Sequence, residues 1–298
     1  MPDSITIRPL QTTADFHACE DLQRAIWPGS ELEIAPLHIL KTVAKNGGVV
    51  LGAWDGPRLV GFVFGFLGTD ESDPQRPALA RLKHCSHMAG VLPEYRDHGL
   101  GYRLKLAQRE AVLQQGVRLV TWTYDPLESR NARLNIARLG AVCRSYLRDV
   151  YGAMPDSLNA GLPSDRFQVD WWVTSTRVKE RLFGRRGALV LESFTDAGAS
   201  ILNPSTAGGP DGLPRPAEKP PEPAGMVALA EIPADFQAIK SGDMALARAW
   251  RAHTRALFEA AFAAGFLVTD FFHENFQGRA RSFYALSQGD ARLEVSEN

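Results

Sequence analysis

The residues best suited to chemistry lie in the stretch GVLPEYRDHGLGYRL, from Gly90 to Leu104. It follows an apolar run typical of a strand and opens a run with helical periodicity. Arg96, Gly99 and Gly101 fall at the junction. The first N–H groups of a helix lack intrahelical acceptors, the helix dipole adds positive charge there, and glycines let an anion approach the backbone. The spacing therefore predicts a phosphate site, to which Arg96 adds a charge-assisted contact.

The pattern of this stretch separates it from two common phosphate-binding motifs. Neither GxxxxGK followed by Ser or Thr nor GxGxxG occurs, because the glycine-bearing part reads G-L-G-Y-R-L. The pattern present is R-x-x-G-x-G preceded by V-x-P-x-Y. It resembles the coenzyme-A-binding motif of the GNAT superfamily of N-acetyltransferases, in which such a turn joins a strand to a helix. The matching residues are Val91, Pro93, Tyr95, Arg96, Gly99, Leu100 and Gly101.

The resemblance covers about residues 4–175. ITIRPL followed by DFHACEDLQRAIWP is similar to the first strand and helix of the superfamily, and ARLNIARLGA is similar to its second conserved helix. A proline-rich break and the later segment EIPADFQAIK resemble a bacterial subgroup of predicted acetyltransferases. The resemblance implies an α/β fold with a mixed sheet, the GNAT acyl-CoA transferase fold, with a smaller C-terminal α/β extension.

The resemblance also implies where an acyl-CoA binds. The backbone of the signature strand would pair with pantetheine, an N–H near Ala89 would polarise the thioester carbonyl, and the turn would hold the pyrophosphate. Acetyl-CoA or another acyl-CoA is the expected co-substrate, and no metal is required. The expected binding residues are Met88, Ala89, Gly90, Val91, Arg96, Asp97, His98, Gly99, Leu100, Gly101 and Tyr102.

The usual acid and base of the superfamily are missing at the matching positions. Cys85 stands where a glutamate base is common, and Ile136 stands where a tyrosine acid is common. Strand alternation puts Cys85, His87 and Ala89 on one face, and His87 is predicted to relay a proton near neutral pH. Tyr124, which ends the next strand, is predicted to donate a proton to the CoA thiolate. The alternative for both is an ordinary packing or surface residue.

Polar residues after that strand predict the substrate contacts. Asp125, with Glu128 nearby, would orient the substrate ammonium. Arg130 lies in an arginine-rich stretch, and a carboxylated acyl group such as succinyl would suit an arginine fork. The predicted substrate residues are Asp125, Arg130 and Asn131.

These residues predict an N-acyltransferase that moves an acetyl or succinyl group to the amine of a small substrate such as an amino acid. The acyl group would pass by direct attack in a ternary complex. The alternative is a non-catalytic module that binds or senses acyl-CoA, since both usual catalytic side chains are missing.

Composition excludes several other classes of function. The chain has 298 residues, with 33 basic and 34 acidic side chains and a net charge of −1, so it has no overall attraction for nucleic acid or anionic lipid. His84 and His87 point to opposite faces of a strand, so we predict no metal site there. Three scattered cysteines without a CxxC pair suggest a reducing cytoplasm, and we expect neither a secretory signal nor a membrane span. The expected partner is a small-molecule amine, with a homodimer left open.

The elements that must position these residues follow from periodicity and turn signals. Thr12 and Asp15 are spaced like a capping box, and Asp55 and Gly56 mark a hairpin turn. In the helix after the motif, Leu104, Ala107 and Ala111 fall on one face. Up to residue 175 they predict the order β-α-α-β-β-β-α-β-α-β-β, a mixed sheet with helices on both faces. We predict a GNAT-like acyl-CoA-binding domain over 1–200. Residues 203–225 contain seven prolines, and this stretch is therefore predicted to be a linker or loop. Residues 226–298 read as a βαββ segment that packs on the first domain or on a partner subunit.

Overall fold

The computed structural model describes residues 5–29, 31, 33–71, 74–152, 154, 160–184, 190–206, 212–218 and 223–288. They form two compact units, one ending at Trp122 and the other beginning at Thr123. The division therefore falls inside a strand.

The first unit is built on a mixed sheet, as predicted. Strands β1 to β4 pair antiparallel in chain order, and β5 pairs parallel with β4. The predicted order of these elements is confirmed. They are β1 (Ile5–Pro9), α1 (Thr13–Ile26), α2 (Leu37–Lys45), β2 (Val49–Asp55), β3 (Arg58–Thr69), β4 (Leu82–Val91), α3 (Leu100–Gln114) and β5 (Leu119–Tyr124), with 3-10 turns at Ala78–Arg81 and Pro93–Tyr95.

Two glycines let helices pack closely on both faces of this sheet. On one face, a Cβ added to Gly90 would lie 2.7 Å from Ile26, the last residue of α1. On the other face, a Cβ added to Gly61 would lie 3.2 Å from Leu104 of α3. A side chain at Gly90 would therefore have to displace the Ile26 side chain, and one at Gly61 would crowd Leu104, beside the strands that lead to the phosphate-binding motif.

Helix α1 begins at the capping box that the sequence predicts. The Thr12 hydroxyl accepts the Asp15 N–H at 3.1 Å, and the Asp15 carboxylate accepts the Thr12 N–H at 3.1 Å. Arg8 of β1 bonds the same carboxylate at 3.0 Å, and this hydrogen bond holds the pKa of Asp15 well below its usual range. The first turn of α1 is thereby fastened to the first strand.

The strands of the second unit follow the order β7-β6-β10-β11-β9-β8. Strands β8 and β9 are parallel, and the other neighbours pair antiparallel. Its further elements are α4 (Ser129–Ala132), a π-helical turn (Arg133–Arg138), β6 (Val142–Leu147), β7 (Arg166–Trp172), α5 (Thr176–Phe183), α6 (Leu191–Asp196), β8 (Ser200–Ile201), β9 (Val227–Ile232), α7 (Phe236–Gly242), α8 (Met244–Ala263), β10 (Phe266–Phe276) and β11 (Arg279–Gln288). Within the described ranges, no helix has the length and apolar character that crossing a bilayer requires.

Aromatic rings from both halves of the second unit share one core. The Phe167 ring of β7 lies 4.7 Å from Phe258 of α8 and 5.5 Å from Tyr284 of β11, centroid to centroid. Tyr124 contacts the same ring at 5.9 Å. Phe258 and Tyr284, which follow residue 226, therefore share a core with Tyr124 and Phe167 and bury large aromatic surface there.

The proline-rich stretch is not a free linker where the structure describes it. The Asn203 side chain donates to the Glu231 carbonyl at 2.8 Å and accepts the Glu231 N–H at 2.7 Å, as a neighbouring strand would. Trp250 of α8 donates to the Pro214 carbonyl at 2.8 Å. These bonds tie the described part of the predicted linker or loop to β9 and α8; residues 207–211 and 219–222 lie outside the described ranges.

Candidate functional site

The turn between β4 and α3 depends on two residues in the left-handed region. Asp97 has a φ of 65°, and Gly99, the N-cap of α3, has a φ of 75°. A Cβ added to Gly99 would meet no atom within 4 Å, so it is the backbone angle that favours glycine there. The open space beside Gly99 leaves room for a ligand at the start of the helix.

The first N–H groups of α3 precede the first hydrogen bond within the helix. The first bond into the helix runs from the Arg103 N–H to the Gly99 carbonyl at 3.0 Å, so the amides of Leu100 and Gly101 precede it. The Leu100 side chain is buried and anchors the turn, which means that Leu100 can serve a ligand only through its backbone. Such a helix start attracts anions.

Contacts to neighbouring strands fix the turn in place. The Arg96 guanidinium donates from Nε to the Val91 carbonyl at 3.1 Å. The Tyr95 hydroxyl donates to the Asp55 carboxylate at 2.7 Å, and this bond raises the pKa of Tyr95. The predicted residues Arg96 to Gly101 thus lie on a turn that is held at the end of β4. Among them, His98 is exposed.

Strands β4 and β5 separate just before this turn. Their pairing consists of His84 with Val120 and Cys85 with Thr121, and no further pairing of these two strands is present among the described residues. From Ser86 to Val91, this edge of β4 runs on toward the turn. The backbone of such an edge can pair with an extended ligand that carries amide groups.

A bulge in β4 changes which side chains share a face. Phe66 of β3 lies opposite Cys85, whereas Phe64, two residues earlier, lies opposite Met88, three residues later. One extra residue of β4 is therefore inserted between the two pairs. Ala89, which follows Met88, points to the opposite face from Cys85, so the prediction that Cys85, His87 and Ala89 share one face was wrong for Ala89.

His87 lies beside this bulge against two phenylalanine rings. Its ring centroid is 5.5 Å from Phe64 and 5.9 Å from Phe66. Partial burial against these rings lowers the pKa of His87 below its ordinary value of 6.5. The imidazole is therefore mostly neutral near pH 7 and able to accept a proton.

A buried polar network lies on the other face of β4, and sequence reasoning missed it. Lys105 of α3 donates from Nζ to the Ser86 hydroxyl at 2.7 Å and to the Gln108 side-chain carbonyl at 3.3 Å. Nζ also lies 3.8 Å from the centre of the Trp122 ring. Burial lowers the pKa of Lys105 to about 7. The sequence signal was a lysine and a glutamine, three residues apart, next to the apolar stripe of α3.

His84 belongs to the same network. Its Nε2 lies 3.2 Å from the Gln108 side-chain nitrogen, which can only donate. The His84 proton is therefore assigned to Nδ1, which is buried with no hydrogen-bond partner among the described residues. Burial lowers the pKa of His84 to about 4, so this side chain is neutral.

The predicted catalytic tyrosine is buried in the second unit. The hydroxyls of Tyr124 and Tyr284 lie 3.1 Å apart, and Tyr284 donates to the Pro126 carbonyl at 2.8 Å. Burial raises the pKa of Tyr124 well above its ordinary value, so the hydroxyl keeps its proton. It can act as a proton donor, and that role stays a prediction.

The predicted substrate residues of the second unit differ in their surroundings. Asp125 accepts a hydrogen bond from Arg251 at 2.9 Å and lies 3.9 Å from Arg166, so its charge is already balanced by arginines. Arg130 and Asn131 are exposed on α4. Of the described residues, no group of three or more His, Cys, Asp or Glu is arranged to hold a metal ion.

Comparison with known proteins finds similarity in solved structures. No family model matches the sequence, and no curated protein matches it. Arabidopsis thaliana NAA60 in complex with acetyl-CoA is 21% identical, with a TM-score of 0.46, over 57% of this chain and 98% of that chain. Arabidopsis thaliana Naa50 in complex with the bisubstrate analogue CoA-Ac-MVNAL is 15% identical, with a TM-score of 0.43, over 56% of this chain and 97% of that chain.

A third solved structure is similar to the same extent. An N-acetyltransferase from Staphylococcus aureus Mu50 is 15% identical, with a TM-score of 0.44, over 56% of this chain and 96% of that chain. The chain is thus similar to solved N-acetyltransferases over little more than half of its length. At these identities, the functional conclusion depends on the residues of the β4–α3 turn and of the strands beside it.

Proposed function

We propose that this protein is an acyl-CoA-dependent N-acyltransferase that moves an acetyl or succinyl group to the amine of a small substrate, such as an amino acid, by direct attack in a ternary complex. The observation that carries this proposal is the turn around Gly99, which opens α3 toward free space at the end of a strand with an unpaired edge. A diphosphate and an amide-bearing arm are the two chemical groups that these features suit.

The residues of the first unit suit both the diphosphate and the amide-bearing pantetheine arm of coenzyme A. The N–H groups at the start of α3 and the Arg96 side chain suit the diphosphate. The edge of β4 from Ser86 to Val91 suits the two amides of pantetheine, because extended amides pair with strand edges. When bound, the thioester supplies an acyl group activated for attack by an amine.

Acid–base groups come from different parts of the chain. His87 is the proposed proton acceptor for the attacking ammonium, because its imidazole is neutral near pH 7. Tyr124 remains the proposed donor to the leaving thiolate. Since Arg251 already occupies the Asp125 carboxylate, Arg130 and Asn131 are the substrate contacts that we would test first.

A matched pair of glycines tests whether the start of α3 binds CoA. Gly99 and Gly116 flank this helix with φ values of 75° and 73°, and an added Cβ meets no atom at either one. Gly99→Ala and Gly116→Ala should each lower the free energy of unfolding by about 1–2 kcal/mol, because alanine is strained at such angles. We expect calorimetry to show CoA binding weakened at least tenfold by Gly99→Ala and unchanged by Gly116→Ala.

Two results would count against this reading. Absence of heat on mixing CoA with the folded wild-type protein would remove the proposal altogether. Equal CoA affinities of the two variants would remove the role of Gly99.

The second candidate is a non-catalytic acyl-CoA sensor. It is favoured by Cys85, which stands where the superfamily often carries a glutamate base, and by the fully buried Ile136, which stands where it often carries a tyrosine acid. Thiol release in the presence of acyl-CoA and a panel of amines separates the two. Binding without any release over that panel would favour the sensor.

A further inference from the structure

Lys105 lies at the point where β4 and β5 separate. Cys85 and Thr121 form the last pair between the strands, and Ser86 and Trp122 are the next residue of each. The Lys105 Nζ contacts both of these, at 2.7 Å from the Ser86 hydroxyl and 3.8 Å from the centre of the Trp122 ring. The amine therefore spans the base of the fork between the strands.

The partners of this buried amine are neutral. A hydroxyl, a side-chain amide carbonyl and an indole ring face it, and the side chain is only 5% exposed. The titratable groups that act on it or respond to it are Cys85, whose pKa is raised by burial, and His84, which is neutral. A cation kept in the protein interior without a carboxylate reduces stability, and such groups are concentrated at functional sites.

The direction of the fork relates Lys105 to the ligand, an argument that rests on the proposed function. A diphosphate held at the start of α3 lies at the C-terminal end of β4, beyond Val91. A pantetheine arm that pairs with the edge of β4 then runs back along the strand toward Ser86. The thiol is at the opposite end of that arm from the diphosphate, so it is directed to the base of the fork.

We propose that the Lys105 ammonium faces the thiol end of bound acyl-CoA and stabilises the thiolate that departs on acyl transfer. As the amine nitrogen bonds to the acyl carbon and the carbon–sulfur bond breaks, the electron pair of that bond goes to sulfur. Lys105 gives its Nζ proton to the sulfur, and the proton lost by the amine returns to Nζ through solvent. Lys105 is thereby the competing candidate to Tyr124 for the acid that protonates the thiolate, and the cycle leaves the net charge of the protein unchanged.

Burial supports this role because it brings the amine close to the working pH. With a pKa of about 7, Lys105 populates both its protonated and its neutral form near neutrality. A proton donor that must be recharged after each turnover functions best under that condition.

Ionisation of the bound CoA thiol tests the proposal without any turnover. The ultraviolet absorbance of the thiolate is followed against pH for complexes with CoA and with desulfo-CoA, and the difference isolates the ligand thiol because Cys85 is present in both. We expect at least a tenfold larger ionisation constant for bound CoA than for free CoA, because a thiolate beside Nζ would keep the Lys105 amine protonated in the complex even above pH 7. Lys105→Met should abolish this increase, and Lys83→Met, which removes a lysine of β4 two residues before Cys85, should retain it.

The possible results separate this inference from the proposed function. Wild-type protein that binds no CoA would defeat both. If the wild-type protein binds CoA but the ionisation constant of the bound thiol equals that of free CoA, only the role of Lys105 is excluded. This measurement uses the wild type and does not depend on whether a variant folds. The role of Lys105 would likewise be overturned if the bound CoA thiol ionised in Lys105→Met as readily as in the wild type. Lys105→Gln takes the place of the methionine variant if that variant is unstable.

Discussion

Lys105 in the first unit and Arg251 in the second are buried to a similar extent, at 5% and 3% exposure, but their partners differ. Arg251 bonds both carboxylate oxygens of Asp125, one of them at 2.9 Å. Burial alone would lower the pKa of Arg251, but the attraction of Asp125 outweighs it and raises that pKa. Lys105 has only neutral acceptors and an aromatic ring, and burial lowers its pKa to about 7.

This difference indicates that the charge of Arg251 has a structural role, whereas the charge of Lys105 is available for proton transfer. A paired ion such as Arg251 keeps its proton at any working pH and can only hold its neighbours in place. An amine such as Lys105 changes its protonation near neutrality, at a cost in stability that a purely structural residue would not impose.

Breaking the Arg251 pair should give the largest change in stability. Arg251→Met leaves the Asp125 carboxylate largely buried beside the more distant Arg166, and we expect the free energy of unfolding to fall by about 3–5 kcal/mol. Urea unfolding measures this loss. Arg251→Met combined with Asp125→Leu should recover a large part of it, and a loss below about 1 kcal/mol for the single variant would contradict the structural role.

Removing the Lys105 charge should raise the free energy of unfolding at neutral pH, whereas breaking the Arg251 pair lowers it. The pKa of Lys105 is about 7 in the folded protein against an ordinary value of 10.5, so the unfolded chain binds more protons between these values. Wild-type stability should therefore rise from pH 7 to about 10, by at most about 1.4 kcal/mol per pH unit from this group. Lys105→Met should lack that rise.

The measurement is urea unfolding at several pH values on both proteins, with Lys83→Met as the control. Lys105→Met should exceed the wild type most at or below pH 7, by up to a few kcal/mol less the lost packing, and the gap should close as the pH rises. Parallel pH curves for the wild type and Lys105→Met would show that the amine is not strained by burial.

The Tyr124–Tyr284 pair gives the smallest effect, because it carries no charge. Tyr124→Phe and Tyr284→Phe each remove one hydroxyl of this buried bond and should lower the free energy of unfolding by about 1 kcal/mol. If Tyr124 is the acid, only Tyr124→Phe should lower kcat while leaving the affinity for CoA unchanged. Equal kcat values for the two variants would assign Tyr124 to packing.

The sequence predicted the order of elements in the first unit because the signals are local. The turn at Asp55 and Gly56, the capping box at Thr12 and the glycines around α3 each act over a few residues. The bulge in β4 was not predictable in this way, since it depends on how two strands align. Its effect was to turn Ala89 away from the face of Cys85.

Two other misses have a similar cause. Periodicity placed Leu104, Ala107 and Ala111 on one face of α3, whereas the buried residues are Leu100, Leu104, Lys105, Gln108, Arg109 and Val112. A rotation of about one residue hid the polar network, because a propensity rule does not place lysine inside. The prolines after residue 203 excluded regular structure but carried no information on the bonds of Asn203.

The position of the unit boundary inside β5 has a practical consequence for shortened chains. Ending the polypeptide after residue 202 keeps β6 and β7 but deletes β10, whose Val268 pairs with Cys143 of β6. It also strips Phe258 and Tyr284 from around Phe167. Such a fragment would expose an apolar sheet face and an open strand, the two features that promote aggregation, so a truncated product is expected in the insoluble fraction.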